Sequence, residues 1–148
     1  MDQALTKLVI KKDMVISESS SADTTRISAS KFIFPCNPQL SNVFHFIENN
    51  FYLPITLVDV AQSVGYSPAY LTDLVRRQTG KTVQSWIIER RMIAARSLLL
   101  ETSEKVEQIA GKVGYQNAVH FFRQFRQYHQ TTPQVWRKAH QIRVVVNM

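Results

Sequence analysis

From Asn37 onward, apolar residues recur at helical spacing over most of the chain. No stretch alternates apolar and polar residues well enough to be a strand, with 142–146 (IRVVV) near the end as the one possible exception. Asn37-Pro38 reads as a helix start, and Val43, Phe44, Ile47 and Phe51 follow on one face of a helix that Pro54 ends. Leu57, Val60, Ala61 and Val64 mark the buried stripe of a short helix. Thr56 can cap it, with Asp59 three residues on in a capping-box arrangement, and Gly65 suits the left-handed residue that closes it. Ser67 then caps a further helix, with Pro68 at the first helical position, where its missing N–H costs nothing. Tyr70, Leu71, Leu74 and Val75 are expected inside, and Gly80 ends it. Residues 82–100, TVQSWIIERRMIAARSLLL, form a strong helix pattern with Trp86, Ile87, Ile93 or Ala94, and Leu98 facing cores. Val106, Ile109, Ala110 and Val113 mark another short helix, Gly114 a turn and Asn117 a cap, and Phe121, Phe125 and Tyr128 are the expected buried side of the helix that follows. The expected fold class is all-α, with about seven helices.

The pattern repeats. VAQSVGY at 60–66 matches IAGKVGY at 109–115 with an offset of 49. Past the turn the offset becomes 50: Leu71 matches Phe121, Val75 matches Phe125, Arg76 matches Arg126 and Trp86 matches Trp136. One supersecondary unit therefore occurs twice, with a second turn one residue longer. A short helix, a glycine-containing turn and a second capped helix are the parts of a helix-turn-helix. The helix joining the two units would be a rod of roughly 28 Å, at about 1.5 Å per residue. Adjacent major-groove segments on one face of DNA repeat about every 34 Å, so such a rod suits two recognition helices about one turn apart.

Charge fits a polyanionic partner. The chain carries 18 Lys and Arg against 11 Asp and Glu, net +7. Residues 1–37 hold five basic and four acidic side chains, and 38–148 hold thirteen and seven, so the excess lies in the helical part. Charge alone is equally compatible with a role in solubility. Residues 17–30, SESSSADTTRISAS, nearly lack large apolar groups and are expected to be flexible. The expected organisation is a tail over 1–36, a helical domain over 37–140 and a short C-terminal tail over 141–148. Cys36 is the only cysteine, which rules out an internal disulfide and a cysteine-based zinc site. No apolar run approaches 18 residues and no export signal opens the chain, so a cytoplasmic location is expected and a membrane partner is not.

The core stripes leave Ala69, Thr72, Asp73, Arg76 and Arg77 free on the first candidate recognition helix, and Ala118, Val119, Phe122, Arg123 and Arg126 on the second. Arg123 can fork onto a guanine, while Arg76 and Arg126 lie far enough along to meet phosphates. Val119 and Phe122 can touch thymine methyl groups, or Phe122 can pack against a neighbouring helix. Asp73 can accept from a cytosine amine or pair with Arg76 or Arg77. Ser67 and Asn117 suit capping better than base reading.

PITLVDVAQSVGYSPAYLTDLVRRQTGKT, RRMIAARSLLL and IAGKVGYQNAVHFFRQFRQYHQTTPQVWR together resemble the DNA-binding domain of AraC/XylS transcription regulators over roughly 40–138. The resemblance implies two helix-turn-helix subdomains on a long linker helix. It also implies binding to bent, non-palindromic double-stranded DNA near promoters, usually as an activator touching RNA polymerase. The family's base-contact positions fall on Ala69, Thr72 and Asp73, and on Ala118, Val119, Phe122 and Arg123. The second unit departs from the pattern. Lys105 stands at a usual capping position, and Gly111 lies inside a helix at a cost of about 1 kcal/mol relative to Ala. Gln130 replaces a usual Gly and Gln124 a usually apolar residue. A less stable second unit is expected. Most members also carry a large effector-binding domain, for which 37 residues are too few, leaving a short stand-alone regulator or a fragment as alternatives.

An enzyme is not expected, nor a cofactor or metal. Gly80-Lys81-Thr82 matches only the end of a phosphate-loop pattern, whose first Gly would have to replace Val75, and His120 and His129 lack metal-ligand spacing. The alternative is a helix-turn-helix interaction module that binds another regulator through its basic face, a reading to which Asp73, Val119 and Phe122 lend themselves.

Overall fold

A computed structural model describes residues 33–146. The expected tail over 1–36 falls outside the described residues except for its last four, as do residues 147 and 148. A 3-10 turn at Pro38–Leu40 leads into seven helices: α1 Ser41–Asn50, α2 Leu57–Val64, α3 Pro68–Thr79, α4 Val83–Glu101, α5 Val106–Lys112, α6 Ala118–His129 and α7 Pro133–Val146. The described residues are all-α. Residues 142–146 continue α7, so the strand left open there does not form, and the expected domain boundary at 140 falls within a helix.

The described residues divide into two compact units, 33–51 with 55–90, and 52–54 with 91–146. In the first, Asn37 accepts from the N–H groups of Gln39 and Leu40 and so starts the chain into α1. Val43, Phe44, Ile47 and Phe51 are buried, together with Val60 and Ala61 of α2 and Leu71, Leu74 and Val75 of α3. Leu57 and Val64, at the ends of the α2 stripe, are half-buried. Trp86 stands edge-on to Phe44, 5.5 Å between centroids, and its indole N–H donates to Thr79 Oγ1 at 3.1 Å. Arg90, only 4% exposed, grips the Glu48 carboxylate with Nε and Nη2 at 2.6 and 3.0 Å and lies over the Phe51 ring. A buried guanidinium needs such a partner, because desolvating it unpaired would cost several kcal/mol with no Coulombic attraction to offset it.

The second unit is built on the matching helices. Ile109, Ala110, Val113, Phe121, Phe125 and Trp136 are buried, with Ala94, Ala95, Leu98 and Leu99 of α4. Ala94 is buried and Ile93 half-buried, which decides between them. The Arg137 guanidinium donates to the Leu99 and Thr102 carbonyls, two acceptors that the end of α4 leaves without helical partners. Arg91 Nη2 donates to the Leu53 carbonyl at 2.9 Å and lies over the Tyr115 ring. Two expected core residues are corrected. Tyr70 is 45% exposed and Tyr128 40% exposed. Tyr70 sits in the first turn of α3, where it has Tyr66 of the linking turn to lean on, ring centroids 4.9 Å apart. Tyr128 lies in the last turn of α6, beside the edge of a stripe that Phe121 and Phe125 fill. A phenol tolerates both places, because its ring can pack while its hydroxyl stays wet.

Candidate nucleic-acid interface

Each unit presents a helix-turn-helix whose second helix has a buried stripe and an outer face. In the first unit, the Asp59 carboxylate accepts from the backbone N–H and the hydroxyl of Thr56 at 2.8 and 3.0 Å, which fixes the start of α2. Gly65 ends that helix at φ +76°, a left-handed conformation that a β-carbon would strain. Ser67 Oγ then accepts from the Tyr70 N–H at 3.1 Å, and α3 begins at Pro68. The turn thereby aims one side of α3 outward.

On that side, Ala69, Asp73, Arg76 and Arg77 are exposed and Thr72 is half-buried. The Thr72 hydroxyl turns back to donate to the Pro68 carbonyl at 2.8 Å. Asp73 pairs with Arg77 at 2.8 Å, one helical turn on. Both side chains are more than half exposed, so the pair contributes about 0.3–0.5 kcal/mol and yields readily to a stronger ligand. The Arg76 guanidinium has no hydrogen bond or ion pair among the described residues.

In the second unit, Asn117 Oδ1 accepts from the Val119 N–H at 2.8 Å and starts α6. Ser67 and Asn117 therefore both cap, as expected. Val119 is 65% exposed, Arg123 and Arg126 are exposed, and Phe122 and Ala118 are half-buried. Neither guanidinium has a hydrogen bond or ion pair among the described residues. The Phe122 ring, half-buried, stands edge-on to that of Phe121 with centroids 6.1 Å apart. Val119, Phe122, Arg123 and Arg126 line a concavity of about 500 Å³ together with Gln127 and Thr132. These last two were not singled out in the sequence. For Thr132 the signal lay in the repeat: it stands 50 residues after Thr82, and both cap the next helix, Thr82 Oγ1 taking the Ser85 N–H and Thr132 Oγ1 the Val135 N–H.

Behind α6 the support is aromatic. His129 stacks on Phe125 with ring centroids 4.0 Å apart. Its Nε2 lies 2.9 Å from Arg96 Nη1 and its Nδ1 lies 3.1 Å from the Phe125 carbonyl. Burial pushes the imidazole below its ordinary pKa, with the Arg96 and His140 charges adding to that, and the Phe125 carbonyl opposes it. The Tyr115 phenol, pushed up to about 12 mainly by burial, donates to Gln124. That bond explains a polar residue at an otherwise apolar position.

A family described as a helix-turn-helix domain matches residues 60–139. The regulatory protein PocR of Salmonella typhimurium is 30% identical over 104 residues, covering 70% of this chain but 34% of its own length. The chain thus spans about a third of that relative. An uncharacterized HTH-type transcriptional regulator in the cgkA 5' region of Pseudoalteromonas carrageenovora is 31% identical over 128 residues, 86% of this chain and 71% of that protein. Among solved structures, a transcriptional regulator of Chromobacterium violaceum with an AraC-type DNA-binding domain superimposes with a TM-score of 0.63 at 30% identity, over 68% of this chain and 90% of the other. The DNA-binding domain of AdpA, a global transcriptional factor solved with a target DNA, shares the fold with a TM-score of 0.67 at 23% identity, over 70% and 94% of the two chains.

Proposed function

Because the chain belongs to the AraC/XylS family of helix-turn-helix regulators, we propose that it binds double-stranded promoter DNA as a sequence-specific transcription regulator. In this reading α3 and α6 enter adjacent major-groove segments. The observation that carries it is the outer face of α6, where two arginines without an intramolecular partner stand beside exposed apolar side chains on a capped recognition helix. Structural arginines in this fold are paired, as Arg90 and Arg137 are, so unpaired ones at a helix-turn-helix are placed for an external anion.

Arg123 takes a guanine, Arg76 and Arg126 take phosphates, and Ala69, Thr72, Asp73, Ala118, Val119 and Phe122 face base edges. Arg77 is released from Asp73 when phosphate approaches. Activation of transcription through contact with RNA polymerase and a cytoplasmic location complete the proposal. No helix among the described residues is long and apolar enough to cross a membrane.

The test is selection from a random DNA pool, followed by binding titrations on the enriched and a scrambled sequence. Two short enriched motifs about one helical turn apart are expected, bound roughly 10³-fold or more tightly than the scramble, the lower end of the range for specific sites. An unenriched pool, with equal affinity for any polyanion, would overturn the reading.

A further inference from the structure

The two recognition helices are gripped on their inner sides by different chemistry. Tyr66 and Tyr115 stand at matching places in the two turns, and Leu74 of α3 matches Gln124 of α6. In the first unit Leu74 is fully buried, and Tyr66 turns to its neighbour Tyr70. In the second, Tyr115 turns inward, 4% exposed, and its hydroxyl donates to the side-chain carbonyl of Gln124 in the middle of α6. The Tyr115 ring stands edge-on to Phe121, centroids 5.2 Å apart. The Arg91 guanidinium of α4 lies over that ring at 5.3 Å and is itself held by the Leu53 carbonyl. Building on the DNA-binding reading above, we infer that Tyr115 and Gln124 are positioning residues: their bond sets the rotation of α6 about its own axis, and through it how sharply the protein tells one DNA sequence from another.

Apolar burial is non-directional, so a stripe such as Leu71, Leu74 and Val75 tolerates small rotations of its helix. A hydrogen bond weakens steeply once donor and acceptor lose alignment. The Tyr115 donor does not follow a moving acceptor, because Arg91 holds its ring from outside α6. It also stays a donor: burial keeps the phenol protonated, pushed up to about 12, although the Arg91 charge opposes this. With the Asn117 cap, the bond fixes α6 at two places, its start and its middle. As a source of stability the pair gains little over two apolar side chains of the same shape, so its worth lies in its direction. A rotation of about 20° would carry side-chain ends, on a radius of about 5–6 Å, through about 2 Å. Contacts that read base edges tolerate about 0.5 Å. Attraction to phosphate falls off slowly with distance and survives such a shift.

The experiment uses the full chain, the site enriched from a random pool and a scrambled sequence. Affinities for both are read by fluorescence anisotropy for the parent, Tyr115→Phe and the double variant Tyr115→Phe with Gln124→Met. Methionine keeps the length of the glutamine side chain and removes its amide, so the double variant leaves no buried polar group unpaired and should melt close to the parent. Binding is measured at a temperature where circular dichroism shows each variant folded. Tyr115→Phe, which loses one hydroxyl, gives the same reading by itself if the double variant does not fold. The ratio of enriched to scrambled affinity should fall about tenfold in each variant, the worth of one base contact. Affinity for the scramble should stay within about twofold of the parent, because phosphate contacts supply it. A purely structural role would leave that ratio unmoved in a folded variant. Discrimination kept at the parent's level, or equal losses on both sequences, would overturn this inference while leaving the DNA-binding reading in place. Failure of the parent to enrich any DNA would defeat both.

Discussion

Arg123 and Arg126 stand three residues apart on α6, both exposed and both without a partner among the described residues. Their proposed roles differ, and so should their losses. Arg123→Ala is expected to relax preference at one or two base pairs and to cost about 1–3 kcal/mol on the enriched site alone. Arg126→Ala should weaken all sequences alike and lower the salt slope by about one. Binding curves on an enriched and a scrambled site separate the two, and equal losses on both sites for Arg123→Ala would remove its base-reading role. Trp86 tests the core. It is buried, edge-on to Phe44 and hydrogen-bonded to Thr79, so Trp86→Ala should cost about 3–5 kcal/mol in urea unfolding. His129 carries the pH dependence. With a folded pKa below the ordinary 6.5, it contributes stability that is fully present above pH 6.5 and lost as pH falls through the folded value. Protonation would put a second N–H against the Arg96 guanidinium. Urea midpoints between about pH 7.5 and 5.5 should therefore fall in the parent and flatten in His129→Phe, which keeps the stack on Phe125 and cannot titrate.

At the scale of elements, the two units solve one geometry with unequal residues. α2 starts on the Thr56–Asp59 pair, whereas α5 starts at Lys105 with no side-chain cap. α3 ends at Gly80 with φ +74°, and α6 ends in the same left-handed conformation at Gln130, φ +56°. A β-carbon there costs about 1–2 kcal/mol, so Gln130→Gly should raise the melting temperature. Gly111 is exposed within α5, and a β-carbon would meet nothing within 4 Å. Gly111→Ala should stabilise by about 1 kcal/mol, the difference in helix propensity. Parent-like melting of both variants would show that α5 and the end of α6 do not limit stability.

Across the whole molecule, net charge overstates what is free to meet DNA. Of the thirteen basic residues after 37, Arg90 is buried against Glu48, Arg91 and Arg137 donate to carbonyls, and Lys81 and Lys112 pair with Glu89 and Glu104. The cationic surface is therefore concentrated at fewer sites, the recognition helices among them. About four phosphate contacts would weaken binding roughly a hundredfold between about 50 and 200 mM salt, and a titration showing no loss over that range would exclude a phosphate-anchored complex.

The sequence by itself determined the periodicities, the caps and the repeat. These are local: Ser67, Asn117 and Gly65 act within one turn of backbone, and a 3.6-residue stripe shows which face is apolar without reference to any neighbour. It also told Leu71, Val75, Phe121 and Phe125 apart as core residues, because an aliphatic or phenyl group in mid-stripe has no better place. Only the tertiary structure decided which amphipathic and charged groups turn inward. Tyr70 and Tyr128 fit either side of a helix surface, and what lay beside them placed both outside. Arg90 and Arg91, adjacent in sequence and drawn like any surface pair, went inside because Glu48 lies some forty residues upstream of one and the Leu53 carbonyl of the other. For Asp73 the sequence left a cytosine amine, Arg76 and Arg77 open as partners, and in the folded chain it pairs with Arg77, one helical turn on. Ionic and phenolic groups carry no orientation in their periodicity, since their burial depends on a partner that sequence spacing does not reveal.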